Sequence, residues 1–101
     1  MMINQLISEI NNIKSKIPFD IQPNDKLMSI IIITYDYKIH TSIICKNSEN
    51  FERIEKELYE RYPDYRDSEN YFIYNANIID KSKTLDENKI KNNSILILAH
   101  S

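Results

Sequence analysis

The sequence predicts an α+β domain, with strands in two groups on either side of one central helix and a further amphipathic helix at the N-terminus. Three observations lead there. Apolar, β-branched or aromatic runs recur at residues 27–34, 39–45, 71–74 and 95–98, each with the length and composition of a strand. Residues 51–61 set Phe51, Ile54 and Leu58 at three-then-four spacing, one face of a helix. Residues 3–17 place Ile3, Leu6, Ile10, Ile13 and Ile17 at steps of three and four, the seam of a coiled-coil-like helix that Ile7 widens.

From the start of the chain, two heptads are too short to be stable alone in water, so the first helix must lie against something. Its own domain, a partner helix or another copy of the chain all remain open. Pro18 ends it, because the residue before a proline avoids the α region. Residues 18–27, with Pro18, Pro23, Asn24 and Asp25, read as a linker that spans up to ~33 Å when extended. The domain proper is expected over residues 28–99. Its first two strands make a hairpin around Asp36-Tyr37-Lys38. Asn47, Ser48 and Asn50 offer N-caps for the central helix, and Glu52–Lys56 and Glu57–Arg61 are i,i+4 pairs on its outer face.

The order of residues 71–98 is more specific. A strand, Tyr71-Phe72-Ile73-Tyr74, breaks at Asn75-Ala76-Asn77, and Ile78-Ile79 follow. Thr84-Leu85-Asp86-Glu87 has the Thr-x-x-Glu capping-box pattern of a short helix. Asn92-Asn93 turns the chain into a buried strand at 95–98. In that series the chain resembles ubiquitin, without a gap from Phe72 to Leu98, and Met28 falls where that family's first methionine would. The resemblance implies a ubiquitin-like β-grasp, a mixed sheet of four to five strands packed on one helix. It places Ile30, Ile32, Phe72, Tyr74, Leu96 and Leu98 against the helix. Ile31, Ile33, Tyr71, Ile73, Ile95, Ile97 and Ala99 then share the opposite face. In the family that face is the docking surface, with Ile73 at its centre and Ile97, Ala99 and Tyr35 beside it.

Fully burying five isoleucines is worth on the order of 8–15 kcal/mol, comparable to the net stability of a domain. A face that apolar is expected to be covered. The cover is either the helix at 3–17 folding back, or a protein partner.

Composition excludes much else. At 101 residues there is one core. Thirteen basic residues against 15 acidic ones create no field for nucleic acid or an anionic membrane. The longest aliphatic run, residues 30–33, is far short of the ~20 residues of a membrane helix. A single Cys45 excludes an internal disulfide and suits a reducing, intracellular compartment, cytoplasmic by default. With no glycine in the chain, the turns must rely on Asn, notably Asn75, Asn77, Asn92 and Asn93.

No catalytic, cofactor or metal site is expected. Cys45 and His40 lie an odd number of residues apart on one strand, hence on opposite faces, and no metal-ligand spacing is present. The chain ends Leu98-Ala99-His100-Ser101, without the Gly-Gly that conjugation in the resembled family requires, so target modification would need a longer precursor. The expectation is a non-catalytic protein–protein interaction module, an accessory subunit of a larger assembly. The alternative is a ubiquitin-mimicking adaptor or regulator.

Overall fold

A computed structural model describes residues 21–100; the seam Ile3, Leu6, Ile7, Ile10, Ile13 and Ile17 lies outside the described residues. Strand β1 (Leu27–Ile33) pairs antiparallel with β2 (His40–Lys46), helix α1 (Phe51–Arg61) follows, and then come β3 (Asn70–Tyr74), β4 (Asn77–Ile78) and β5 (Ser94–His100). The sheet runs β2-β1-β5-β3-β4. β1 and β5 are parallel, the other pairs antiparallel, so the two chain-distant strands meet at its centre. The described residues form a mixed α+β domain, one α-helix on a five-stranded mixed sheet, compatible with a β-grasp arrangement.

The helix starts where the sequence offers a cap. Asn50 Oδ1 accepts from the Glu52 N–H at 2.9 Å, and Asn50 Nδ2 donates to the Ser82 carbonyl at 2.7 Å. The cap therefore also pins the later loop to the helix start. Phe51, Ile54 and Leu58 are buried from solvent and meet Ile30, Ile32, Ile43, Cys45, Phe72, Leu85, Leu96 and Leu98 in one core. Phe51 and Phe72 pack edge to face at 4.8 Å between ring centroids. Tyr59, Tyr62 and Tyr65 gather at the helix end against this core. Tyr74, expected in the core, is only half-buried beside it, because the chain turns away at Asn75.

The turns show how a chain without glycine reverses direction. Tyr37, Asn75, Ala76, Lys89 and Asn93 all have positive φ. Asn75 and Asn93 were expected there; Asn77 and Asn92 were too, and are not. Asn92 instead uses its side chain, with Oδ1 accepting from the Ser29 N–H at 2.9 Å. The Asn93 N–H donates to the Ser29 carbonyl at 2.7 Å, which locks the approach of β5 to β1. In the β1–β2 hairpin, Asp36 Oδ1 accepts from Thr34 Oγ1 at 2.7 Å and from the Lys38 N–H at 3.1 Å. Those two donors hold the Asp36 carboxyl below its usual range, the hydroxyl contributing most.

The capping box forms as read. The Thr84 N–H donates to Glu87 Oε1, and the Glu87 N–H to Thr84 Oγ1, both at 3.0 Å. The short helix it was expected to open does not develop: the segment is a series of turns, reversed by Lys89 at φ 60°. On α1, Glu57 and Arg61 pair at 2.7 Å, whereas Glu52 and Lys56 form no ion pair among the described residues.

Candidate functional site: the open face of the sheet

The face away from α1 is organised by strand register. One row crosses all five strands: His40, Ile33, Ile97, Ile73 and Ile78 stand side by side. A second holds Ser42, Ile31 and Ile95, with Ile44 opposite Ser29 on one flank and Ala99 opposite Tyr71 on the other. With strands ~4.8 Å apart this surface is roughly 19 Å across, and about 23 Å long at the seven-residue β1, β2 and β5, narrowing over β3 and β4, which have five and two residues. That is on the order of 400 Å², the size of the largest patch on many monomers, which is often functional.

All seven residues assigned to this face from the sequence lie together on it. They are not equally open. Ile31, Ile33, Tyr71, Ile73, Ile97 and Ala99 are half-buried, while Ile95 is 55% exposed. Side chains in adjacent strands shield one another laterally, so much of the expected 8–15 kcal/mol is already realised within the sheet. Two further isoleucines belong here that the sequence reading did not place, Ile44 at 51% and Ile78 at 69% exposed. The alternation of Ile44 with buried Ile43 and Cys45 was the available signal for the first. Ile78 needed its pairing with Ile73, which only the fold supplies. Ile44, Ile78 and Ile95 together leave rather less than two full isoleucine side chains open, ~3–5 kcal/mol of burial still on offer.

The surroundings are mostly polar: Ser29, Ser42 and His40, whose ring meets Tyr37 edge-on at 6.5 Å. At one end Tyr35, Tyr71 and Ala99 line a shallow depression of about 290 Å³ together with Asp36, Tyr65 and His100. Tyr35 stands 73% exposed at its lip.

The nucleophile inventory is short. Cys45 is a free, buried thiol whose Sγ lies 3.7 Å from the Met28 carbonyl. Burial, reinforced by nearby Glu49, pushes it up to about 12. His40, exposed on the other side of the strand, cannot reach it. Among the described residues no group of three or more His, Cys, Asp or Glu could hold a metal ion, and no helix is long and apolar enough to cross a membrane. Asp80 and Glu87 are engaged by local donors: Ser82 hydroxyl and N–H for the first, Thr84 N–H and hydroxyl for the second. Each carboxyl is held below its usual range as a result.

Matched against models of known protein families the chain fits none, and no curated protein matches it. The face must therefore be interpreted from its own chemistry.

Proposed function

We propose that this chain is a ubiquitin-like β-grasp domain that acts without catalysis, as an accessory subunit docking a protein partner on the open face of its sheet. The observation that supports this is the row Ile33–Ile97–Ile73–Ile78, four isoleucines abreast on the side of the sheet away from its own helix. The buried, strongly protonated Cys45 supports the non-catalytic part, since only the thiolate is nucleophilic. A lone buried thiol suits a reducing, intracellular compartment. A protein partner is favoured over nucleic acid because, among the described residues, the strands place a single cation on this face, Lys46, and it pairs with Asp25 at 3.3 Å.

A second reading, a ubiquitin-mimicking adaptor, draws on the polar margin of Ser29, Ser42 and His40 around the isoleucines. Reversible recognition surfaces keep such a rim.

Light scattering on the purified full chain and on Ile73→Asp tests the first reading. Association that is strong in the wild type, or replaced by a stable complex when a neighbour is co-expressed, is expected to be lost in Ile73→Asp. An Asp variant with unchanged association and unchanged partner binding would remove the face from consideration. A stable monomer in which Ile95 and Ile97 are protected from solvent would instead assign the cover to residues 3–17. Titration with a ubiquitin-interacting helical peptide separates the adaptor reading, which predicts shifts centred on Ile73 and Ile97.

A further inference from the structure

Among the described residues strand β2 is one edge of the sheet, so half of its backbone groups have no described strand to pair with. In an antiparallel pair these groups alternate, residue by residue, between facing the neighbour and facing away. Ile39 lies on the paired side, its carbonyl accepting from the Thr34 N–H at 3.1 Å. Counting on by twos, Thr41, Ile43 and Cys45 face β1, while Ser42, Ile44 and Lys46 face outward.

The outward carbonyls are not left to water. Arg61 Nη1 donates to the Ser42 carbonyl at 2.7 Å and to Thr41 Oγ1 at 2.8 Å. Arg53 Nη2 donates to the Ile44 carbonyl at 3.1 Å. At the end of the strand, the Lys46 N–H donates to Glu49 Oε1 at 2.9 Å, and the Glu49 N–H returns a bond to the Lys46 carbonyl at 3.2 Å.

The arginines are themselves held. Glu49, buried, takes Arg53 in a two-point grip at 2.6 and 2.7 Å. Glu57 accepts from Arg53 at 2.6 Å and from Arg61 at 2.7 Å. Glu49, just before α1, and Arg53, Glu57 and Arg61 on it thus form a continuous i,i+4 ladder that leans over the edge of the sheet.

A second copy adding antiparallel to β2 would pair about a two-fold axis at Ile43, with Ser42 of one copy opposite Ile44 of the other. That register needs the Ser42 and Ile44 carbonyls as its central acceptors, the same two that the arginines occupy. Little else would resist it: β2 is seven residues long, contains no proline and carries the exposed Ile44.

We propose that the Glu49–Arg53–Glu57–Arg61 ladder is a latch that keeps a second copy of this chain from adding to the β2 edge. With the latch released, two copies join their five-stranded sheets through β2. This stands independently of what docks on the open face.

The test compares the full-length wild type with Arg53→Ala/Arg61→Ala by light scattering and circular dichroism. The double variant is expected to keep its native spectrum while its mass doubles with rising concentration, and Ser42→Pro added to it should restore the wild-type mass. Proline removes the outward N–H that strand addition requires, and is tolerated at an edge position of this kind. Association through the open face would be insensitive to Ser42→Pro, so the two surfaces are told apart. A folded double variant whose mass equals that of the wild type at every concentration overturns the proposal, as does association that Ser42→Pro leaves in place. Should the double variant not fold, Arg61→Ala alone frees the Ser42 carbonyl while Arg53 keeps its grip on Glu49. It is expected to show weaker association, reversed by the same proline, and its absence in a folded Arg61→Ala also overturns the proposal.

Discussion

The two residues between β3 and β4, Asn75 and Ala76, both lie in the left-handed region, at φ 52° and 62°. That is the signature of a two-residue hairpin turn of the primed type, where Asn-Gly is the favoured pair. Here the second position is alanine, whose Cβ makes left-handed backbone unfavourable by roughly 1–2 kcal/mol. Ala76→Gly removes that strain but returns freedom to the unfolded chain, a loss of about 0.5–1 kcal/mol. The balance is a gain of up to ~1.5 kcal/mol, and its central value near ~0.75 kcal/mol raises the melting midpoint of a domain of this size by ~3–6 °C. Ala99→Gly is the internal control. Ala99 sits in extended β5 opposite Tyr71, so the same chemical change there has only the entropic loss and should lower the midpoint. Differential scanning calorimetry on the three proteins reads both signs. If Ala76→Gly lowers the midpoint as Ala99→Gly does, Ala76 is not left-handed, and the turn that sets Ile78 beside Ile73 has been misread.

Three further outcomes follow from the same structure. Cys45 should resist alkylation by iodoacetamide at pH 8 in the native protein and react at an ordinary thiol rate only in denaturant; rapid native labelling would contradict its burial and its rise to about 12. Asp36 has a depressed carboxyl, so its contribution is full above the ordinary carboxylate range near ~4 and fades as pH falls through its lower folded value. Urea midpoints of wild type and Asp36→Asn should therefore differ at pH 7 and converge at pH 2, and a gap that persists in acid would refute the assignment. Ile78→Lys/Ile95→Lys replaces side chains 69% and 55% exposed. Each should destabilise the fold by about 1 kcal/mol, while the pair weakens any association through the open face roughly 10²-fold; a fold loss larger than the binding loss would invert the argument.

What could be read from the sequence was whatever depends on spacing alone. Phe51, Ile54 and Leu58 fall on the buried stripe because helical periodicity admits no other arrangement, and Asn50 caps the helix because its side chain sits where free N–H groups begin. The division of β1, β3 and β5 into two faces follows from a period of two, which one sheet-long register then enforces. Where local preference competes with tertiary demand, the reading fails in traceable ways. Tyr37, Ala76 and Lys89 take left-handed backbone because the connections require it there, while Asn77 and Asn92 stand one place away from the requirement. Thr84 and Glu87 close their box, yet the Ile90 N–H is drawn back to the Leu85 carbonyl at 3.0 Å, and turns replace the helix. Contacts across elements, such as Arg61 with Ser42 or Ile78 with Ile73, have no sequence signal, because they depend on which strand ends up at an edge.

Those cross-element contacts also decide how a neighbour could approach. A sheet offers two edges and, once a helix covers one side, a single face. β4 has only two residues, too few for a strand-by-strand ladder, and β2 has its central outward carbonyls taken by arginines. Edge addition is thereby disfavoured at both ends, and the face is left as the broad route to contact. That face offers ~3–5 kcal/mol from its most exposed isoleucines, at or below the low end of the ~4–15 kcal/mol that association forfeits in translational and rotational freedom. A lasting complex therefore needs the partner's own apolar surface and a second point of attachment, and the Ile3–Ile17 seam is the segment of this sequence with the composition to supply one. If partners dock on the open face as proposed, a chain cut before residue 18 should keep that face and lose much of the affinity, whereas equal affinity in the truncated and full chains would leave the face acting alone.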